Sequence, residues 1–315
     1  MMEEKKERIH YDLAFSLGAS CASSLLLRKA EMQFGSMPFD WVGGSNVLAN
    51  ANLLAAGFPH WLDRDAMELT DVAYTTFNAS IYRNKLTDIT FMHDFPASCY
   101  FDDELPVVSE RYRRRIERFF PTVEKMKRVL AVFCEVPYRP AAAEADVVEA
   151  QRVLARRFPN TRVDLLYFAQ NDGKAADEYR KVNDNVEIAL VDYADMDHGF
   201  VSSAANYAKL LPVFRERFEV TDPRTPEAKA KYAAAEKAKD ERRWGTGFRR
   251  WLNKKVYHLF RFSAEYLDRH GCVPSMYRPL KVYADRGERR PSLSEPDISG
   301  SPAELESARR ARDLL

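Results

Sequence analysis

The apolar positions of the chain fall into short continuous runs separated by helix-spaced stripes. Continuous apolar runs are typical of strands buried on both faces of a sheet. Residues 129–134 form such a run, and three further, mainly apolar runs, each interrupted by one or two polar residues, occur at 13–17, 163–169 and 186–193. The spacing of the apolar residues predicts a helix over 145–158, between the second and third runs. It also predicts a helix over 206–218, after the fourth run. Because strands and helices alternate, the pattern predicts an α/β fold with a central, mostly parallel sheet flanked by helices.

The stretch between the first two runs predicts further elements. A helix is predicted over 45–57, with Ser45 as its N-cap and Gly57 at its end. Two strands, joined by a polar turn, and one long helix follow. They are predicted over 72–78, 88–95 and 109–127, respectively. This stretch separates two strands of the predicted sheet by more than one hundred residues.

A change in composition after residue 220 predicts a domain boundary. The segment 221–226 contains Pro223 and Pro226, and an Ala-, Lys- and Glu-rich helix is predicted after it, over 228–244. We therefore expect an α/β catalytic-like domain over 1–220 and a basic helical appendage over 221–285. The remaining segment, 286–315, is rich in Pro, Ser, Gly and charge, which predicts a disordered tail apart from a possible last helix.

The appendage contains a basic amphipathic segment over 242–266. An apolar stripe runs through it, and no acidic residue lies between Arg242 and Arg261. The stripe consists of Phe248, Leu252, Val256, Leu259 and Tyr266. Such a segment either lies on an anionic membrane surface or docks on the parent domain or on a partner protein. The formal net charge of the whole chain is only +1, which argues against a nucleic-acid partner.

The cysteine pattern and the N-terminus indicate a cytoplasmic protein. The four cysteines are far apart and no pair has C-x-x-C spacing, so no disulfide framework is predicted and a reducing compartment is the simpler interpretation. The N-terminus is charged and has no apolar run behind it, unlike a secretory signal. No apolar run approaches the roughly 20 residues that a membrane-spanning helix needs.

A candidate nucleophile follows the first apolar run. Gly18 permits a tight turn, and Ser20 is a good N-cap for the helix predicted over 22–30. Cys21 then lies in the first helical turn, where unpaired N–H groups and the helix dipole favour an anion. We expect a lowered pKa for this thiol, which would favour nucleophilic attack. The alternative is a small buried cysteine without a chemical role.

A cysteine nucleophile needs a base and a group that orients the base. His93, near the end of a predicted strand, is the best base in the sequence. Asp94 should point to the opposite face of that strand, so Asp40 is the better carboxylate to hold the imidazole. The alternatives are a hydrogen-bonded structural histidine for His93 and an aspartate that caps its own loop for Asp40.

Four motifs taken together resemble a bacterial family of papain-like cysteine peptidases. They occupy 16–21 (Ser-Leu-Gly-x-x-Cys), 36–41 (Ser-x-Pro-Phe-Asp-Trp), 91–95 (Phe-Met-His-Asp-Phe) and 114–119 (Arg-Arg-Ile-Glu-Arg-Phe). The resemblance covers roughly 9–200. It implies acyl-transfer chemistry by a Cys–His pair, with Cys21 as the nucleophile and His93 as the base, and a polar third member. It also implies a papain-like α+β fold as an alternative to the predicted α/β architecture.

A second candidate site is the acidic stretch 192–199, which follows the fourth apolar run. Asp192, Asp195, Asp197 and His198 are close enough in sequence to suggest a divalent metal, although a solvated loop is the simpler interpretation. No phosphate-binding glycine loop is present, and no cofactor is predicted. Besides a thiol hydrolase or acyltransferase, two alternatives stay open. One is a non-catalytic sugar- or nucleotide-binding module, and the other is a sugar-transferring enzyme, each linked to surface-polysaccharide synthesis.

Overall fold

The computed structural model of the chain describes residues 8–73, 79–97, 99–136, 139–171, 177–192 and 204–244. The chain forms two compact units. The first contains residues 1–68, 82–92 and 105–222, and the second contains 69–81, 93–104 and 223–315. The predicted division into 1–220, 221–285 and 286–315 stays a prediction.

The elements alternate as expected for an α/β chain. The strands are β1 (Ile9–Tyr11), β2 (Leu13–Gly18), β3 (Val42–Gly44), β4 (Met67–Ala73), β5 (Ala79–Asn84), β6 (Ile89–Pro96), β7 (Arg128–Cys134), β8 (Arg162–Gln170), β9 (Glu178–Asn183), β10 (Val186–Val191) and β11 (Phe218–Val220). The helices are α1 (Cys21–Lys29), α2 (Val47–Ala55), α3 (Phe101–Glu124), α4 (Glu144–Arg157), α5 (Ala204–Arg217) and α6 (Pro226–Trp244).

A five-stranded sheet forms the centre of the first unit. Its strand order is β2-β7-β8-β10-β9, and every neighbouring pair is parallel except β10 and β9. The four apolar runs of the sequence are its four parallel strands, which are almost entirely buried. This confirms the predicted α/β fold class with a mostly parallel sheet. The parallel strands also place their carboxyl ends along one edge of the sheet.

Helices cover both faces of this sheet. Side chains alternate along a strand, so even- and odd-numbered residues of β7 point to opposite faces. Leu130, Val132 and Cys134 belong to a buried cluster with α1 and α5. Phe15 of β2 points to the opposite face of the sheet. The centre of its ring lies 5.1 Å from the centre of the Phe119 ring in α3. Burial on both faces explains why these strands contain few polar residues.

Two smaller sheets complete the architecture. β1 and β11 form a parallel pair, which ties the start of the chain to the end of α5. A four-stranded sheet has the order β3-β6-β5-β4, in which β3 pairs antiparallel with the first residues of β6. The strands β1, β3, β5, β9 and β11 were not predicted. They are short or polar, and β9 is an edge strand with exposed side chains.

Two predicted helix starts differ from the structure. Helix α2 is capped by Asn46, whose side chain accepts a hydrogen bond from Ala49 N at 2.9 Å, and Ser45 instead adopts a positive φ of 57°. Helix α3 begins at Phe101, before the predicted start at residue 109. Asp102, Asp103 and Glu104 lie in the first turn of this helix, where their negative charge suits the positive end of the helix dipole.

Several predicted features lie outside the described residues. They are the strand end at 74–78, most of the acidic stretch at 193–199, and everything after Trp244, including the apolar stripe of the basic segment and the tail. Of the helices within the described ranges, none combines the length and the apolar character that crossing a membrane requires.

Candidate functional site

The turn between β2 and α1 carries the candidate nucleophile. Gly18 ends β2 with a φ of +100°, a conformation that glycine adopts without steric cost. Ser20 caps α1 as predicted, because its side chain accepts a hydrogen bond from Ala22 N at 3.2 Å. The Ser23 hydroxyl donates back to the Gly18 carbonyl at 2.7 Å and so closes the turn. Cys21 is therefore the first residue of the helix, next to unpaired backbone N–H groups.

Helix α2 supports the same turn from the side. Asn50 is buried, and its Nδ2 donates to the Leu17 carbonyl at 2.7 Å. A Cβ atom at Gly18 would lie only 2.4 Å from this Nδ2. The sequence therefore needs glycine at position 18 for two reasons, the positive φ and the close approach of Asn50.

Burial changes the expected protonation of Cys21. The thiol is partly buried, and desolvation raises its pKa to about 11, while its own backbone N–H acts in the opposite direction. The prediction of a lowered pKa for the Cys21 thiol is thus wrong for the protein without a bound substrate. The reason is that the loss of hydration disfavours the thiolate more than the hydrogen bond at the helix start favours it.

The other described cysteines differ from Cys21 in position. Cys134, at the end of β7, is fully buried, and burial raises the pKa of its thiol despite a hydrogen bond with Ser23. Cys99 is partly buried, and its N–H donates to the Pro96 carbonyl at 3.1 Å. Neither residue starts a helix. Cys272 lies outside the described residues.

Asp40 is the centre of a buried polar network in the first unit. Its side chain is 0% exposed. One oxygen, Oδ2, accepts hydrogen bonds from Arg28 Nη2 at 2.9 Å and from Met37 N at 2.8 Å. Gln33 Nε2 donates to both oxygens, at 2.8 and 2.9 Å. Burial raises the pKa of this carboxyl, against the lowering effect of the three donors.

The same network connects this loop to α1. Arg28, in the last turn of α1, also donates to Ser24 at 3.2 Å and lies 5.5 Å from the centre of the Trp41 ring. Asp40 therefore anchors the helix that begins at Cys21. These contacts support the alternative in which Asp40 stabilises its own loop, and its catalytic role stays a prediction.

His93 and Asp94 lie on β6 with opposite exposures. His93 reaches solvent, whereas Asp94 is 5% exposed, as alternation along a strand predicts. The protein atoms around His93 lower the pKa of its imidazole, and the negative charge of Asp94 opposes that effect. A neutral imidazole is the form that accepts a proton.

The structure places the candidate residues in both units. Cys21 and Asp40 belong to the first unit, whereas His93 belongs to the second. The pairing of Cys21 with His93 stays a prediction.

The carboxyl edge of the five-stranded sheet contains polar residues that the motif analysis did not select. Glu135 follows β7 directly and is 3% exposed, and Asn171 follows β8 and is 5% exposed. Their position after a buried apolar run was visible in the sequence, and ligands of open α/β sheets bind at this edge.

The acidic stretch begins at the same edge. Asp192 follows β10; its N–H donates to Asp177 at 2.9 Å, and its carboxylate accepts from Gln170 at 3.2 Å. Among the described residues, no three His, Cys, Asp or Glu side chains are arranged to hold a metal ion. Asp195, Asp197 and His198 lie outside those residues, so the metal hypothesis stays untested.

Comparisons with known proteins give one family and one viral relative. The chain is 29% identical over 154 residues to Uncharacterized protein R408 of Acanthamoeba polyphaga mimivirus; the match covers 44% of this chain and 67% of the relative. No solved structure matches the chain. Residues 12–171, which include β2, α1 and the motifs around Asp40 and His93, match one family model. The chain therefore belongs to the family described as "Putative papain-like cysteine peptidase".

Proposed function

We propose that this protein is a cysteine-dependent hydrolase or acyltransferase in which Cys21 is the nucleophile and His93 is the base. The family description supports the reaction class. The observation that carries the proposal is the position of Cys21 as the first residue of the capped helix α1. Backbone N–H groups at a helix start can stabilise the oxyanion that forms when a carbonyl is attacked.

The raised pKa of the thiol defines what the base must do. At neutral pH the Cys21 side chain is mainly a thiol, so its proton must leave during attack. In the proposed mechanism His93 takes this proton as the sulfur bonds to the carbonyl carbon. The leaving group then departs with a proton returned by His93, and water or another acceptor cleaves the thioester. Asp40 remains the predicted third member.

Alkylation by iodoacetamide, with mass-spectrometric mapping of each cysteine, tests the proposal. Cys21 should react faster than Cys99, Cys134 and Cys272 in the folded protein, and Cys21→Ser should remove the fast phase. His93→Gln should slow the reaction near pH 7 but have little effect near pH 11, where the thiol ionises without a base. Faster labelling of another cysteine, or an unchanged rate in His93→Gln, would contradict the proposal.

One observation favours a second candidate, a non-catalytic binding module for a sugar or nucleotide. Burial that raises the pKa of Cys21 to about 11 is expected for a cysteine without a chemical role. In that case the alkylation rate of Cys21 should rise continuously towards pH 11, identically in the wild type and in His93→Gln. A plateau at lower pH that requires His93 would exclude this candidate.

A further inference from the structure

A cavity of about 190 Å³ lies at the amino edge of the five-stranded sheet, within the first unit. The first residues of three parallel strands line it: Arg128 of β7, Arg162 of β8 and Val186 of β10. Cys21 follows the carboxyl end of β2, and β2 runs parallel to β7. The cavity and the proposed nucleophile are therefore at opposite edges of the sheet.

The described side chains that line this cavity have an excess of positive charge. Four of them are cationic and three are acidic: Arg128, Arg162, Lys181 and Arg217, and Asp164, Asp184 and Glu187. Two of the cations have an acid of their own. Lys181 Nζ lies 2.7 Å from Asp184 Oδ1, and Arg217 Nη2 donates to Glu187 Oε2 at 2.6 Å. The remaining set contains two arginines and one aspartate, which leaves one positive charge without a counter-charge.

Asp164 holds the two arginines together. Arg128 Nε and Nη2 donate to its Oδ2 at 2.9 and 2.6 Å, and Arg162 Nε donates to its Oδ1 at 3.0 Å. The Tyr11 hydroxyl donates to Oδ2 at 3.0 Å, and burial raises the pKa of this hydroxyl, so it keeps its proton. These four hydrogen bonds occupy the roughly four acceptor positions of a carboxylate. Asp164 is thus fully paired, and it fixes both guanidinium groups beside the cavity.

Both guanidinium groups keep N–H groups for a further acceptor. Arg162 Nη2 donates to the main-chain carbonyl of Asp184 at 2.7 Å. Within the described residues, Arg128 and Arg162 use only Nε and Nη2, so both Nη1 groups are available. Their side chains are 30% and 46% exposed, which leaves them accessible to a small molecule. The Tyr11 ring, whose centre is 4.8 Å from Arg128 Cζ, limits the orientation of that guanidinium.

The excess positive charge and the available N–H groups suit an oxyanion. Arginine forms paired hydrogen bonds with carboxylate and phosphate oxygens, because its guanidinium is a planar fork. The register of the sheet places Arg128 beside Arg162 on neighbouring strands. A phosphate group has three or more terminal oxygens in a tetrahedral arrangement, whereas a carboxylate has two in one plane. Phosphate is therefore the better bridge between two guanidinium groups that already share one carboxylate.

The size and the apolar part of the lining limit what else the ligand can contain. Ile9, Leu130 and Phe218 contribute apolar surface to the cavity. Its volume of about 190 Å³ is smaller than the roughly 300–1,000 Å³ of pockets that hold drug-sized ligands. A phosphate group therefore has room beside it for a compact organic group only.

We propose that this cavity binds a phosphate group through Arg128 and Arg162, either as free phosphate or as a small phosphomonoester. The site goes beyond the proposed reaction at Cys21 and does not depend on it. Strand β7, which runs from one edge of the sheet to the other over Arg128–Cys134, separates the two edges by roughly 20 Å. Either proposal can fail while the other holds.

Isothermal titration calorimetry of the full chain tests the site with three probes: inorganic phosphate, phenyl phosphate and benzoate. The buffer contains neither phosphate nor sulfate, and the ionic strength is kept constant. At least one of the two phosphates should bind saturably with a Kd below about 10 mM, and benzoate should bind at least about tenfold more weakly. Tighter binding of phenyl phosphate identifies a phosphomonoester as the ligand, because the apolar lining then contributes. Equal or tighter binding of inorganic phosphate identifies free phosphate.

Variants assign the binding to this cavity. Arg162→Gln leaves Asp164 balanced by Arg128 and should weaken phosphate binding by about tenfold, because hydrogen bonds to charged groups are the stronger ones. Asp184→Asn removes an acid from the lining and should strengthen binding, while the main-chain carbonyl that accepts from Arg162 remains. Arg180→Gln is the matched control, because Arg180 is 44% exposed and also pairs with acids, but does not line the cavity. The control should keep the wild-type Kd.

Three results would overturn the proposal. The first is a wild-type protein that binds neither phosphate saturably, and the second is benzoate binding as tight as that of phenyl phosphate. The third is an equal loss of affinity in Arg162→Gln and Arg180→Gln, which would indicate binding by general surface charge. Circular dichroism shows whether each variant folds. If Arg162→Gln does not fold, the wild-type series and Asp184→Asn decide, and an unchanged or weaker affinity in Asp184→Asn then refutes the site.

Discussion

Replacing Asp40 with asparagine tests whether the buried network around this residue holds α1 in place. The substitution keeps the shape of the side chain but removes its charge. In the wild type, Arg28, Gln33 and Met37 all donate to the carboxylate. Asparagine has one acceptor oxygen, and its amide group would face at least one of these donors.

The expected loss follows from the burial of the pair. Removing one partner of a fully buried ion pair costs about 3–5 kcal/mol, because the remaining charge is left uncompensated. Asp40 is fully buried, but the Arg28 side chain is 26% exposed, so water can solvate it partly. We therefore expect Asp40→Asn to lower the free energy of unfolding by about 2–4 kcal/mol.

Urea unfolding followed by circular dichroism and tryptophan fluorescence measures this loss. Asp184→Asn is the control, because Asp184 pairs with Lys181 at 2.7 Å but its side chain is 86% exposed. Exposed pairs contribute little, so the control should change stability far less than Asp40→Asn does. The free energy of unfolding, rather than the midpoint alone, should be compared.

An Asp40→Asn variant as stable as the control would refute the structural reasoning. The same variant also tests the catalytic prediction for Asp40. If it keeps wild-type stability but loses the fast alkylation of Cys21, Asp40 acts on the catalytic pair. If stability falls and the alkylation rate changes only in proportion to the unfolded fraction, the role of Asp40 is structural.

Two further predictions concern the turn at Gly18 and the C-terminal segment. Gly18→Ala should destabilise the protein by about 2 kcal/mol or more, because the new Cβ would lie 2.4 Å from Asn50 Nδ2 at a φ of +100°. Gly35→Ala, where a Cβ meets nothing within 4 Å, should have a much smaller effect, and equal losses would contradict this explanation. Deleting 222–315 should leave a cooperatively folding fragment, because every strand of the five-stranded sheet and helices α1 to α5 precede residue 222. The full chain, unlike the fragment, should bind anionic liposomes in a salt-sensitive manner; an aggregating fragment together with no liposome binding would indicate that the basic segment packs as ordinary core.

The sequence by itself determined the parallel sheet. Strands buried on both faces, such as β7 and β8, need apolar residues at nearly every position, and this requirement leaves a continuous signal. Strands such as β9 are exposed and polar, and their pairing is decided by neighbours that are distant in sequence. The start of α3 was misplaced because the prediction followed the apolar spacing after residue 109 and did not use Asp102, Asp103 and Glu104, which suit the first turn of a helix.

At the candidate site, the sequence identified Cys21 as a helix-start residue, because the glycine turn and the Ser20 cap are local features. Only the tertiary structure decided its protonation, since desolvation depends on the atoms packed around the thiol and outweighs the local hydrogen bond. The tertiary structure also decided the surroundings of Asp40, because Arg28 of α1 and Gln33 of the following segment donate hydrogen bonds to its buried carboxylate.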